Sequence, residues 1–407
     1  MRFRKRRLCP CLNWINSIYD MKKTERIFDG GDKNTEKIGI YIHIPFCAAK
    51  CKYCDFNSHV GNIDEQKKYI AALCREISVS EERYKGICVD SIYFGGGTPT
   101  VLSAESLIMI LDAVRSVFDI DEDCEITTEC NPGTVDVKYL EKLHRGGFNR
   151  LSIGIQSAND ALLRMLGRIH KFDDCRECVK AAKSAGFDNI SGDLMFGLPT
   201  QKMYVWRETL KAAAELGLKH ISAYALKIEE GTPFARKGYS AADDDTSRDM
   251  YDLCSDYLSD MGYERYEISN FAMRGYESRH NLKYWRCIDF IGFGAGAYSC
   301  FGGRRFCNIA DTAAYIKAVS DKKTAVLHSD ILSEFDKMSE FVYLGLRIRD
   351  GISESEFLRR FSTPIDEIFG DELNKNIKRG TLIRKDGRIY IPSEYVYVSN
   401  AIMSDFV

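Results

Sequence analysis

The chain has 407 residues, with Lys+Arg 57 against Asp+Glu 59, a formal net charge of −2 and a hydrophobic share of 45%. That length and apolar share suit a folded protein of about two or three domains with a large core, and they exclude an intrinsically disordered chain. The near-neutral balance removes bulk electrostatics as a reason to expect nucleic acid as a partner. The sequence also holds no run of about 18 apolar residues that would cross a bilayer.

Residues 1–36 read as an N-terminal extension. MRFRKRR is basic, LCPCLNWINSIYD is too short and too polar for a signal-peptide core, and Met21 offers a second start. The expected location is the cytoplasm, and the basic run leaves peripheral attachment to a membrane surface open. From Lys37 the pattern alternates. Strands are expected at 38–44, 89–94, 124–128, 150–155, 188–196 and 219–226, with helices at about 64–84, 103–118, 135–146, 159–185 and 203–217. Six strands separated by helices imply right-handed crossovers and a parallel sheet, either doubly wound or curled toward a barrel.

Past about residue 230 the rhythm changes. A helix at 246–261 precedes YERYEISNFA, SRHNLKYW and the glycine-rich IGFGAGAYS; helices follow near 311–320, 334–347 and 354–361. TLIRKDGRIYI reads as a hairpin turning at Asp386-Gly387. The C-terminal part, 306–407, is expected to be a small α+β, winged-helix-like domain.

Fifteen cysteines is an odd number in a long chain without a convincing secretory signal, so reduced thiols are expected. Cys74, Cys88, Cys124, Cys254 and Cys287 sit among apolar neighbours and read as packing residues, as does the Cys175-x2-Cys178 pair on a charged helix. Other polar residues follow strands. Cys47, Cys51 and Cys54 come after the first strand and Gly95-Gly96-Gly97-Thr98 after the second; Glu129 ends the third, Gln156 the fourth, and Asp193 lies late in the fifth. In α/β proteins such positions converge on one face and build the site. The Cys47-x3-Cys51-x2-Cys54 spacing brings three thiolates to one centre. Three readings stand: a zinc site completed by His59 or His43, a cubane iron–sulfur cluster with one iron left open, or a chance grouping in a chain so rich in cysteine.

The run YIHIPFCAAKCKYCDF resembles the signature of radical S-adenosylmethionine (SAM) proteins, in the branch that contains HemN and HemW, and the likeness extends over about residues 37–400. The resemblance implies a partial (β/α)6 radical-SAM barrel over 37–305 and a HemN-type C-terminal domain over 306–407. It implies that Cys47, Cys51 and Cys54 hold a [4Fe–4S] cluster whose open iron SAM chelates, and Tyr53 fits the same pattern. It further assigns Tyr41, Gly95, Gly96, Gly97, Thr98, Glu129, Gln156, Arg168 and Asp193 to the SAM pocket, with Arg168 suited to the SAM carboxylate and Glu129 to its ammonium or a ribose hydroxyl. Each of these also has a plainer reading as a turn, a cap or a core hydrogen bond.

The branch divides by function. Its oxygen-independent coproporphyrinogen III dehydrogenases carry a further cysteine two residues after the third ligand, where this sequence has Phe56. CDFNSH instead resembles the heme-binding relatives. In SRHNLKYW, the residues His280, Asn281, Tyr284 and Trp285 resemble a motif linked to heme binding, with His280 as axial ligand and the two rings stacking on the macrocycle. The plainer alternative is that His280 caps a helix while Tyr284 and Trp285 pack. Many relatives carry a histidine near Tyr298, so the second axial ligand stays open between a phenolate and none. The resemblance thus implies a heme chaperone that transfers heme to an acceptor protein, for which a membrane respiratory enzyme is a candidate. A low-potential electron donor is implied for the cluster, and a homodimer stays open. The alternative is the porphyrinogen dehydrogenase, and no catalytic residue is assigned.

Overall fold

The computed structural model of the chain describes residues 36–322 and 324–407. The basic run at the start and Met21 lie outside the described residues. Strands β1 (Ile38–Ile44), β2 (Cys88–Gly96), β3 (Asp119–Cys130), β4 (Arg150–Gln156), β5 (Asn189–Phe196) and β6 (His220–Ala225) are neighbours in chain order, each parallel to the next. Between them run α1 (Ile63–Val79), a single turn α2 (Glu81–Tyr84), α3 (Ala104–Arg115), α4 (Val137–Arg145), α5 (Asp160–Leu166), α6 (Phe172–Ser184) and α7 (Met203–Glu215). Helix α1 packs on α3, α3 on α4, and α4 on α6. Sequential strand order with helices side by side on one face curls the sheet into a partial (β/α)6 barrel; a doubly wound sheet would send helices to both faces.

Side chains of a strand point alternately to its two faces, and here the two faces meet different surroundings. Ile40, Ile42, Ile92, Phe94, Leu151 and Ile153 are fully buried against the helices, where each apolar side chain contributes about 1.5–3 kcal/mol. The opposite face carries Tyr41, Tyr93, Glu129, Ser152, Asp193 and His220, so the concave interior of the barrel is polar.

Beyond β6 come α8 (Pro233–Arg236), α9 (Asp244–Asp260), β7 (Glu264–Arg265), β8 (Asn270–Ala272), α10 (Arg279–Trp285), β9 (Phe290–Phe293), β10 (Tyr298–Phe301), β11 (Arg304–Asn308), α11 (Thr312–Lys322) and β12 (Val326–Ile331). β9 lies parallel beside β1 and continues into antiparallel β10, β11 and β12, while on the other side β8 pairs antiparallel with β6 and β7 antiparallel with β8. The sheet therefore runs past residue 305 to Ile331. Then follow α12 (Glu334–Gly345), β13 (Ile352–Ser353), α13 (Glu354–Phe361), α14 (Ile365–Arg379), β14 (Ile383–Lys385), β15 (Arg388–Tyr390) and α15 (Ser399–Met403), the three strands forming a small antiparallel sheet. The β14–β15 turn falls at Asp386-Gly387, both with positive φ, as a two-residue hairpin requires. Among the described residues no helix is long and apolar enough to cross a membrane.

Three of the expected elements differ in the structure. The single helix expected at about 64–84 is α1 and the separate turn α2, parted at Ser80, which caps α1. The single helix expected at 159–185 is two, because Gly167 adopts φ +81 and closes α5 with its N–H on the Arg164 carbonyl. β3 begins at Asp119, earlier than expected: the charged DIDED stretch hides the strand pattern, but pairing of Cys88 with Asp119 and Val89 with Ile120 holds it in the sheet.

Candidate functional site

β1 ends at Ile44, and the chain turns through Cys47, Cys51 and Cys54 before α1. All three thiols are free and half-buried. The loop is pinned by its backbone: Cys47 N–H donates to the His59 carbonyl (2.8 Å), Lys52 N–H to Leu166 (2.9 Å), and Phe234 N–H to Lys52 (3.0 Å). Lys50 Nζ crosses the loop to the carbonyls of Phe56 (2.6 Å) and Ser58 (2.8 Å). Burial pushes the Cys54 thiol up, so it needs a positive centre to ionise. Two donors approach the sulfurs: Thr98 Oγ1 lies 3.8 Å from Cys47 Sγ, and Arg168 Nη1 lies 3.5 Å from Cys51 Sγ. Three thiols with donors aimed at them suit an iron–sulfur cluster, whose sulfurs carry negative charge.

The two histidines considered for zinc are committed elsewhere. His59 Nε2 pairs with Glu65 Oε1 at 2.8 Å. His43 lies between the Tyr41 hydroxyl (3.0 Å) and the Asn57 carbonyl (2.9 Å). Among the described residues no three His, Cys, Asp or Glu side chains close on a point that would hold a single metal ion.

The glycine loop is shaped first by the protein itself. Gly97 N–H donates to the Ile44 carbonyl (2.8 Å) and Thr98 N–H to Phe46 (2.7 Å), drawing the end of β2 onto the end of β1. A Cβ on Gly96, whose φ is +111, would stand 2.5 Å from His43 Cε1, and one on Gly97 would stand 2.5 Å from the Phe46 carbonyl oxygen. Glycine is needed here for that approach as well as for any ligand.

Deeper in the barrel, Glu129 accepts hydrogen bonds from the Tyr93 hydroxyl (3.0 Å) and Gly96 N–H (3.2 Å). Burial, reinforced by the Asp193 carboxylate, raises its pKa to about 7. Asp193 in turn accepts from Ser152 Oγ (3.1 Å) and is itself pushed up by burial. Tyr41 stacks on Tyr93, ring centroids 6.4 Å apart. Gln156 ends β4 with φ +65. Arg168, in the break between α5 and α6, donates through Nη2 to the Gly154 carbonyl and to Asn131 Oδ1 (2.6 Å each). Its Nε is buried without an acceptor, a free donor that suits a carboxylate. Asn131 Nδ2 also donates to Thr98 Oγ1 (2.8 Å), so this one amide ties the glycine loop to Arg168. The structure thus brings together Tyr41, Gly95–Thr98, Glu129, Gln156, Arg168 and Asp193. Asn131, Tyr93 and Asn57 were not anticipated: Asn131 in ECNPGT reads as a turn residue, Tyr93 as a strand former, and Asn57, whose amide spans to the carbonyls of Ala295 (3.1 Å) and Ala310 (2.9 Å), has partners far away in sequence.

The SRHNLKYW residues form α10, which closes against β1 and β2. Ser278 caps it, accepting from Asn281 N–H, while the Glu125 carboxylate accepts from the N–H groups of Arg279 and His280 (3.1 Å each). Lys283, buried, reaches Asp90 Oδ1 (2.6 Å) and the Lys37 carbonyl (2.7 Å). His280 is 1% exposed. Its Nδ1 lies 3.1 Å from Ser91 Oγ and its Nε2 2.8 Å from the Tyr284 hydroxyl, and its ring stacks on Tyr93 at 5.4 Å. Burial, with Lys283 and Arg150 nearby, lowers its pKa to about 3, so it stays neutral. Ser278, and not His280, therefore caps this helix, and in this conformation the His280 ring packs inside the barrel. Trp285 lies under the Arg347 guanidinium (4.3 Å), and its Nε1 is buried without an acceptor. Phe56, in contrast, is exposed (65%). Tyr298 is also exposed, at the start of β10 and outside this cluster.

A parallel (β/α)6 barrel whose first loop presents three cysteines, facing a glycine loop and a buried acid, defines a radical SAM protein. A profile of the radical SAM superfamily matches residues 41–213, and one of the HemN C-terminal domain matches residues 332–394. The chain is 33% identical to the heme chaperone HemW of Lactococcus lactis over 90% of its length and 96% of that relative, and 33% identical to the Bacillus subtilis protein of the same name over 90% and 98%. The Escherichia coli heme chaperone HemW is 40% identical over 64% of this chain. The chain belongs to the HemW family. The solved structure of coproporphyrinogen III oxidase (HemN) from Escherichia coli, a radical SAM enzyme, superposes with a TM-score of 0.81 over 91% of this chain and 90% of that one; at 23% identity it shares the fold.

Proposed function

We propose that this protein binds heme and hands it to an acceptor protein, on a scaffold that carries a [4Fe–4S] cluster and SAM. The observation that carries the reading is the near end-to-end likeness to relatives named heme chaperone HemW. Phe56, which has no thiolate to offer where the dehydrogenases place a cysteine, supports it. Cys47, Cys51 and Cys54 would hold the cluster, which supplies the electron that cleaves SAM when both are bound. The chain's own groups would bind and orient: Arg168 Nε, a buried donor without an acceptor, would take a carboxylate, Glu129 an ammonium or a ribose hydroxyl, and Tyr41, Gly95–Thr98, Gln156 and Asp193 would line the same pocket. His280 is the proposed iron ligand and Asn281, Tyr284 and Trp285 its companions, the Trp285 Nε1 being a donor ready for a polar edge of the ligand. A low-potential donor for the cluster and a heme acceptor complete the proposed partners.

The test uses anaerobically reconstituted protein, wild type beside His280→Ala. Each is titrated with hemin by absorbance and then given SAM, a reductant and coproporphyrinogen III. Saturable heme binding that His280→Ala weakens at least ten-fold (on the order of 1.4 kcal/mol), with no protoporphyrinogen formed, is the expected outcome. Product formation with heme binding indifferent to His280 would make this a porphyrinogen dehydrogenase.

A further inference from the structure

Iron ligation needs the lone pair of a neutral imidazole nitrogen. In His280 each ring nitrogen already has a hydroxyl partner, Ser91 at Nδ1 and Tyr284 at Nε2. A neutral imidazole has one donor and one acceptor nitrogen, so the lone pair that iron would use is occupied. Space is lacking as well. The ring lies between the face of Tyr93 and the backbone at Gly39, where even an added Cβ would stand 3.2 Å from His280 Cε1. No macrocycle fits beside it in this conformation.

We infer that His280 is a latch: Ser91 and Tyr284 hold its ring inside the barrel, and heme is captured by α10 only from a conformation in which those two hydrogen bonds are broken. The inference rests on the heme-binding reading above. Helix α10 has seven residues, about two turns, too short to persist without tertiary contacts. It is held through side chains and its first amides: His280 on Ser91 and Tyr93, Lys283 on Asp90, its N-terminal N–H groups on Glu125 of β3, Tyr284 against Phe290, and Trp285 under Arg347. An element of two turns with no sheet pairing of its own opens by local unfolding, and the observed affinity is the intrinsic affinity reduced by the open fraction. Tyr284 therefore has two opposed effects. Its ring can stack on heme, while its hydroxyl keeps the ligand away from iron.

The latch and a plain binding pocket predict opposite results for conservative changes. Tyr284→Phe keeps the ring and deletes the hydroxyl; Ser91→Ala deletes the other partner. Each is expected to tighten hemin binding and speed histidine ligation about five-fold, the size of one neutral hydrogen bond. Hemin association is followed by stopped-flow absorbance in wild type, Tyr284→Phe, Ser91→Ala and His280→Ala. If both hydroxyl variants bind as wild type or more weakly while His280→Ala abolishes binding, the latch is wrong and the heme reading survives. If His280→Ala binds hemin like wild type, His280 is not the iron ligand and the latch fails while heme binding stands; if the wild type binds no hemin, the heme reading itself fails and takes the latch with it. Hydrogen exchange on the wild type gives a check independent of the variants: amides of Arg279–Trp285 should lose protection when hemin binds, and protection unchanged with iron on His280 would overturn the latch.

Discussion

Glu129 sits where two opposing influences meet. Tyr93 and the Gly96 amide donate to its carboxylate, while burial and Asp193 disfavour its charge, and the pKa settles at about 7. In this range the ionised fraction is about a tenth at pH 6 and about nine-tenths at pH 8. A cationic ligand binds the ionised form, so affinity for SAM is expected to rise about nine-fold between pH 6 and pH 8 and to become flat in Glu129→Gln, as isothermal calorimetry under nitrogen would show. At this scale the acids and thiols were legible because they stand at strand ends, where chemistry collects. Tyr93 was not, because its role depends on which residue of the neighbouring strand lies beside it, and Asn131 was not, because its partners Thr98 and Arg168 sit on loops far apart in sequence.

Among the elements, the break between α5 and α6 matters most to the site. It exists because Gly167 is left-handed, and it delivers Arg168 to Cys51 and Asn131. Gly167→Ala forces a side chain into φ +81 and sets its Cβ 3.0 Å from Lys52 Cγ, on the cluster loop. A loss of about 1–2 kcal/mol in urea unfolding is expected, together with less iron retained after reconstitution. The helical character of 159–185 was readable from its apolar spacing. The break was not, since one glycine inside a helical pattern does not announce a cap until the turn is seen to close on itself.

Across the whole molecule, the C-terminal segment grips the motif helix. Arg347 covers Trp285, and Arg360 Nη1 donates to the carbonyls of Arg286 (3.1 Å) and Cys287 (3.2 Å) just past the end of α10. Arg360→Ala is expected to raise hydrogen exchange across Lys283–Ile288 while leaving cluster iron content at the wild-type level; iron lost along with that protection would mean a global rather than local effect. The parallel half of the fold was legible through its repeated strand–helix rhythm. The strands from β7 to β12 were not, because they have two to six residues each and little alternation, and only pairing with their neighbours defines them.

The two-sided strands of the barrel have a consequence for how the gene tolerates change. In β1, in β2 from Ser91, in β3 from Cys124 and in β5 the even-numbered positions face the helices and the odd-numbered ones the interior, and in β4 and β6 the parity is reversed. A saturation scan read separately for protein abundance and for cluster loading should therefore show two interleaved combs of period two. Residues such as Ile40, Phe94 and Ile153 would register in the first, residues such as Tyr41, Tyr93 and Ser152 in the second, and the combs would exchange teeth on crossing from β3 to β4.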